Sequence, residues 1–164
     1  MTLTLQVRQT ELYDNYGFKL LNFTEEKDGK MYQACHFNLN NTFVHSRLSK
    51  ITPKKIGQFV TFWKRNKNGI TEPFKEEDNF DFLIINVNYE NRYGQFIFPK
   101  STLIKQGIIS TITKEGKRGF RVYPIWDITE SKQAIRTQKW QLNFFKELIQ
   151  NTNKELINNL YLIK

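Results

Sequence analysis

The chain carries a single cysteine, Cys35, in 164 residues, which excludes an internal disulfide. His36 and His45 are its only histidines, and no C-x-x-C or H-E-x-x-H spacing exists to hold zinc. A lone thiol suits the reducing cytoplasm, and Cys35 reads as strand packing. No apolar run is long enough to span a membrane, and the opening MTLTLQVRQTELY lacks the basic head and apolar stretch of a signal peptide. A soluble cytoplasmic protein with no membrane partner is the expectation. Only four prolines are present, with no internal repeat and no low-complexity tract, so residues 1–164 read as one domain without a linker. G-x-S-x-G, a Walker loop, a dinucleotide glycine fingerprint and a helix-turn-helix pair are all absent, and no cofactor is expected.

Aromatics are abundant: 15% of the residues, 14 of them Phe, enough large apolar side chains for a compact core. Charge is unbalanced, at +9, and it is also segregated. No acid occurs between Asp28 and Glu72, and from Arg92 to Arg121 seven further cations meet Glu115 alone. The acids gather instead in EEKD (25–28) and EPFKEEDNFD (72–81). Two positive regions of this kind suit a polyanionic partner better than a surface of mixed sign does.

Residues 3–16 read as a short helix, although Leu3, Leu5 and Val7 also alternate as in a strand. FKLLNF, MYQACHFN and TFVHSRLS form a β meander, punctuated by Asp-Gly and Asn-Asn. ITPKKIGQFVTFWKRNKNG (51–69) fits a helix with Thr52 as cap, Pro53 in the first turn and an apolar stripe at 56, 59, 60 and 63. QFVTFW within it suits a strand as well. NFDFLIINVNY (79–89) has the continuous apolar character of a central strand covered on both faces, and YGQFIFP (93–99) is its neighbour. KSTLIKQG is a short helix closed by Gly107, and GFRVYPIW (119–126) is a further strand ended by Pro124. Asp127 and Glu130 form a capping box for a long helix to about Gln150, with Ile135, Leu142, Phe145 and Ile149 buried. KELINNLYLI, behind a Thr152–Glu155 box, adds a last turn or two. The fold class is α/β (α+β): a central mixed β-sheet flanked by helices.

GKRGFRVYPIWD (116–127) interleaves Lys117, Arg118 and Arg121 with Phe120, Tyr123 and Trp126. Single-stranded nucleic acid calls for this mixture, cations for phosphates and flat rings for unstacked bases. Strand alternation puts Arg121 and Tyr123 on the wet face and Phe120 and Val122 on the other. Catalysis finds less support. Acid-x-Lys triplets at Glu25, Asp28, Glu115 and Glu130 lie in turns or at a helix start, away from any central strand that could gather metal-binding carboxylates.

ITPKKIGQFVTFWKR, YGQFIFPKSTLIKQGIIS, GKRGFRVYPIWD and SKQAIRTQKWQLNFF together resemble the MepB family of small bacterial proteins, from about Tyr13 to Leu148. The resemblance implies a fold similar to the PD-(D/E)XK restriction-endonuclease-like core and nucleic-acid binding without that superfamily's catalytic residues. Laid on this chain, the superfamily motif falls nearest to Asp81 with Gln95-Phe96-Ile97. Gln95 is neutral and Ile97 has no amine, so a degenerate nuclease site is expected. The leading reading is a non-enzymatic binder of DNA or RNA, favouring single strands. Lys55, Lys64, Arg65, Lys100, Lys117, Arg118 and Arg121 would neutralise phosphates, with Tyr123 or Trp126 stacking bases. About six phosphates engaged predicts binding roughly a few hundredfold weaker at 200 than at 50 mM salt. A metal-dependent nuclease and an efflux-linked small-molecule sensor with an aromatic pocket are the alternatives.

Overall fold

The computed structural model describes residues 4–148. Helix α1, Leu5–Asp14, starts where the Thr4 hydroxyl accepts from the Val7 N–H at 3.2 Å. Leu5, Gln9 and Tyr13, one turn apart, are its buried face. Strands β1 (Leu20–Glu25), β2 (Cys35–Leu39) and β3 (Thr42–Leu48) form the expected antiparallel meander. Residues 30–32 are a 3-10 turn and not the start of β2. In β2 the inward positions are Cys35, Phe37 and Leu39, the period of two a half-covered strand requires. Burial pushes the Cys35 thiol up to about 12, so it stays protonated at neutral pH, as a packing group does.

Strand β4 is Lys50–Ile51, β5 Gln58–Thr61, β6 Trp63–Arg65 and β7 Thr71–Pro73. The helix expected over 51–69 is therefore absent. Burial alternates from Gln58 to Trp63, and the backbone at Gly57 takes φ 85°. A β-branched and aromatic run of period two sits in the sheet, and a left-handed glycine in its middle cannot continue an α-helix. Thr52 does not cap a helix; its hydroxyl accepts from Arg121 Nη2 at 2.7 Å.

Strand β8, Phe82–Tyr89, pairs parallel with β3 and antiparallel with β9, Arg92–Pro99. Six consecutive buried residues open β8. Phe82 and Ile84 join Leu5, Tyr13, Phe37 and Val44 in one core, whereas Leu83, Ile85 and Val87 join Val60, Phe62, Leu103 and Val122 in the other. This is the strand covered on both faces that its composition predicts. Helix α2, Lys100–Lys105, ends before Gly107 at φ 69°, and β10, Gly119–Val122, pairs with β5.

Helix α3 is Lys132–Gln141, shorter than expected at both ends. Ser131 caps it, accepting from the Ala134 N–H at 3.1 Å, while the Asp127 N–H closes a turn onto the Pro124 carbonyl. Its C-terminal end tightens into a 3-10 turn, and β11, Phe145–Glu147, adds to the edge of β9. Phe145 covers Gly94 there: a Cβ at Gly94 would lie 2.5 Å from the Phe145 ring. Burying Phe145 on the sheet overrides the helical periodicity of the preceding residues. Ile135, expected in the stripe, is exposed, and Ala134 and Gln141 are the buried residues of α3. Ile149 and the last expected helix lie outside the described residues.

The architecture is thus α+β, with a six-stranded mixed sheet in the order β1-β2-β3-β8-β9-β11, a second sheet β10-β5-β4 and a β6–β7 hairpin. No helix among the described residues is long and apolar enough to cross a membrane.

Candidate nucleic-acid interface

Strand β10 displays its side chains as its alternation predicts: Phe120 and Val122 point into the core, Arg121 and Tyr123 are half-buried on the other face. Beside that face runs a groove of about 450 Å³, lined by Lys55, Lys117, Arg121, Tyr123 and, from α3, Thr137 and Trp140. Residue 55 reaches it because the 52–57 turn folds back over β10. Arg121 holds the turn there, donating to the carbonyls of Ile56 and Gly57 at 3.3 and 3.4 Å and to the Thr52 hydroxyl. The Tyr123 ring lies over Gly57, where a Cβ would come within 2.7 Å of it. Gln141 fixes the strand end, accepting from the Tyr123 N–H and donating to the Arg121 carbonyl, each at 2.9 Å. An adjoining hollow adds Lys54 and brings in Glu130. Among the described residues no acid lines the main groove.

The remaining expected cations lie elsewhere and already have partners. Lys64 Nζ is 2.6 Å from Asp78 and 3.6 Å from Glu72. Arg65 pairs with Asp28 at 3.0 Å and donates to the Gly69 carbonyl. Lys100 donates to the Asp78 carbonyl and sits over the Phe80 ring. Arg118 meets Glu115 at 3.3 Å and donates to the Thr71 carbonyl at 3.0 Å. The acidic stretches that looked segregated along the sequence thus fold back onto β6 and α2. Trp126 packs edge-on against Phe145, with the Arg92 guanidinium 4.8 Å over its ring, and lines a separate groove that shares Lys55. Trp140 both packs on Phe98 and lines the main groove.

Asp81 and Gln95 do not form one site. Asp81 precedes β8, and its carboxylate accepts from the Phe43 N–H at 2.9 Å. Gln95 is fully buried opposite Asn86, five residues on and roughly 16 Å along the strand at its usual rise. There Gln95 Nε2 donates to Asn86 Oδ1 and the Tyr13 hydroxyl, at 2.8 and 3.1 Å.

A cluster that the linear motifs do not disclose sits across β2 and β3. Glu26 Oε1 lies 3.3 Å from His36 Nδ1 and 3.1 Å from His45 Nδ1, and Arg47 Nη2 donates to Glu26 Oε2 at 2.8 Å. Burial alone would push the Glu26 carboxyl up, but the His45 hydrogen bond and the Arg47 charge, helped by His36, hold it at about 2. Burial also lowers His45, against the pull of Glu26, so the ring is neutral. One signal was available. A two-residue Asn40-Asn41 turn sets His36 directly opposite His45 in the ladder. Nothing along the chain pointed to Glu26 as the third member.

A family profile described as MepB-like matches residues 26–147. The crystal structure of MepB is similar over 93% of this chain and 100% of that one, at 34% identity and a TM-score of 0.79. A bacterial homing endonuclease is similar over 84% of this chain and 87% of that one, at 15% identity and a TM-score of 0.46, a likeness too slight to carry an argument. No curated protein matches the chain.

Proposed function

The chain belongs to the MepB-like family, and from that premise we propose that it binds DNA or RNA, favouring single strands, without cleaving them. One observation carries the reading: Lys55, from one stretch of sequence, and Lys117 and Arg121, from a second, converge with Tyr123 and Trp140 on one acid-free groove. Cations on a rim with flat rings between them are what a single strand requires, phosphates outward and bases against π-faces. Lys55 and Lys117 enter no ion pair among the described residues, unlike Lys64, Arg65 and Arg118. Their charges are therefore available to phosphate. The absence of cleavage is argued from Asp81, whose carboxylate caps the Phe43 amide far from Gln95, a poor start for a magnesium site.

A panel of single- and double-stranded DNA and RNA tests this, run across salt, with and without magnesium, and scored for cleavage as well as retention. Salt-sensitive retention of single strands without cleavage is expected. Magnesium-dependent nicking lost in Asp81→Asn would replace the reading with a nuclease, and no retention at low salt would end it.

A further inference from the structure

The Glu26–His36–His45 cluster plays no part in the groove. Among the described residues it is the one group of His, Cys, Asp or Glu side chains whose donor atoms all lie within 4.8 Å of one another. Its distances are informative. The Arg47–Glu26 contact at 2.8 Å is an ordinary charge-assisted hydrogen bond. The two imidazole contacts, at 3.1 and 3.3 Å, are long for hydrogen bonds to a carboxylate, and both fall on the same oxygen, Oε1. For a tetrahedral zinc ion with ligands at about 2.0–2.1 Å, neighbouring ligand atoms stand about 3.3–3.4 Å apart. The two carboxylate–imidazole spacings are close to that edge length, and the two imidazole donors lie within 4.8 Å of each other.

We infer that Glu26 Oε1, His36 Nδ1 and His45 Nδ1 are three ligands of a divalent ion of the zinc class, with water completing the coordination. Two imidazoles and one carboxylate select zinc, cobalt or nickel over magnesium or calcium, which prefer all-oxygen sites. Glu26 and Arg47 border a hollow of about 10 Å³, room for about one water beside the carboxylate, although neither imidazole lines it. Arg47 Nη2 holds the second carboxylate oxygen at 2.8 Å and its Nη1 reaches Oε1 at 3.3 Å, so the carboxylate is fixed in orientation and the ion would share Oε1 with that weaker N–H contact. Its positive charge opposes the ion and lowers affinity, and the open position therefore favours an anionic fourth ligand such as hydroxide. Phe62, Phe74 and Phe80 surround His45 at 4.9–5.6 Å between ring centroids, an apolar shell that strengthens the carboxylate's pull on a cation. The ion would tie the turn after β1 to β2 and β3, so binding adds to folding stability.

Purified full-length protein, stripped with a chelator, is titrated with zinc by a competing colorimetric chelator and separately with cobalt by visible absorption. One equivalent of zinc is expected to bind and to raise the melting temperature, and cobalt should show the intense d–d bands of a four-coordinate N/O site. His36 is partly exposed, so His36→Ala should fold; it should lose at least about tenfold in zinc affinity. Glu26→Gln should do the same and remove the cobalt bands. Wild-type protein that binds no zinc, or cobalt spectra of the octahedral aquo ion, would overturn the inference. So would His36→Ala binding zinc as tightly as wild type while folded by circular dichroism. Oligonucleotide retention is a separate readout, and its failure leaves this result intact.

Discussion

Glu26→Gln, measured on metal-stripped protein, tests how the buried cluster contributes to stability. Glu26 is held at about 2 against an ordinary 4.5, a shift worth about 3 kcal/mol of folding free energy at neutral pH. A second route gives the same size. Arg47 is 3% exposed, and leaving its guanidinium without a carboxylate costs about 3–5 kcal/mol. The sign follows from the lowered value: the contribution is complete above about 4.5, the unfolded-state figure, and is lost as pH falls through about 2. His45, also lowered, weakens the fold in the same direction as pH drops below its ordinary value of 6.5. The groups facing Glu26 are His36, His45 and Arg47, and the shift is theirs jointly. Urea unfolding followed by tryptophan fluorescence should show Glu26→Gln about 3 kcal/mol less stable near pH 7, with the gap falling to roughly half near pH 3. A gap under about 1 kcal/mol near neutrality, or one that pH leaves unchanged, refutes the reasoning.

Gly57→Ala should cost at least about 2 kcal/mol in thermal denaturation, because φ 85° is strained for alanine and its Cβ would lie 2.7 Å from the Tyr123 ring. The displaced ring should also weaken oligonucleotide binding in a gel-shift titration. Lys55→Ala and Lys117→Ala should each weaken single-strand binding severalfold and reduce the salt slope by about 0.7. Lys64→Ala, which removes a cation already paired with Asp78 at 2.6 Å, should leave affinity within about twofold in the same assay.

Where alternation or a continuous apolar run governs, sequence and structure agree. The meander and β10, with Arg121 and Tyr123 outward, were legible from alternation and turn residues, and the doubly covered β8 with its partner β9 from unbroken apolar runs. Residues 58–63 misled because their aromatics fall at helical as well as strand spacing, and the deciding feature, a left-handed Gly57 under Tyr123, depends on a distant strand. The reach of α3 was overestimated because Phe145 is claimed by the edge of β9. Of the expected cations, charge segregation along the chain found Lys55, Lys117 and Arg121 but could not show that Asp28, Glu72 and Asp78 return to Arg65 and Lys64. Trp140 reaches the groove only through the packing of α3 beside β10, which no local pattern discloses.

The most direct test of the central claim is the dependence of single-strand affinity on salt. With three or four groove cations (Lys55, Lys117, Arg121 and neighbouring Lys54), the slope of log K against log salt should be about −2 to −3. That is a loss of roughly 20- to 50-fold between 50 and 200 mM, shallower than seven cations would give. The Lys55→Ala/Lys117→Ala protein should bring the slope to about −1. Affinity indifferent to salt, or a steep slope that the double variant leaves unchanged, would contradict the account.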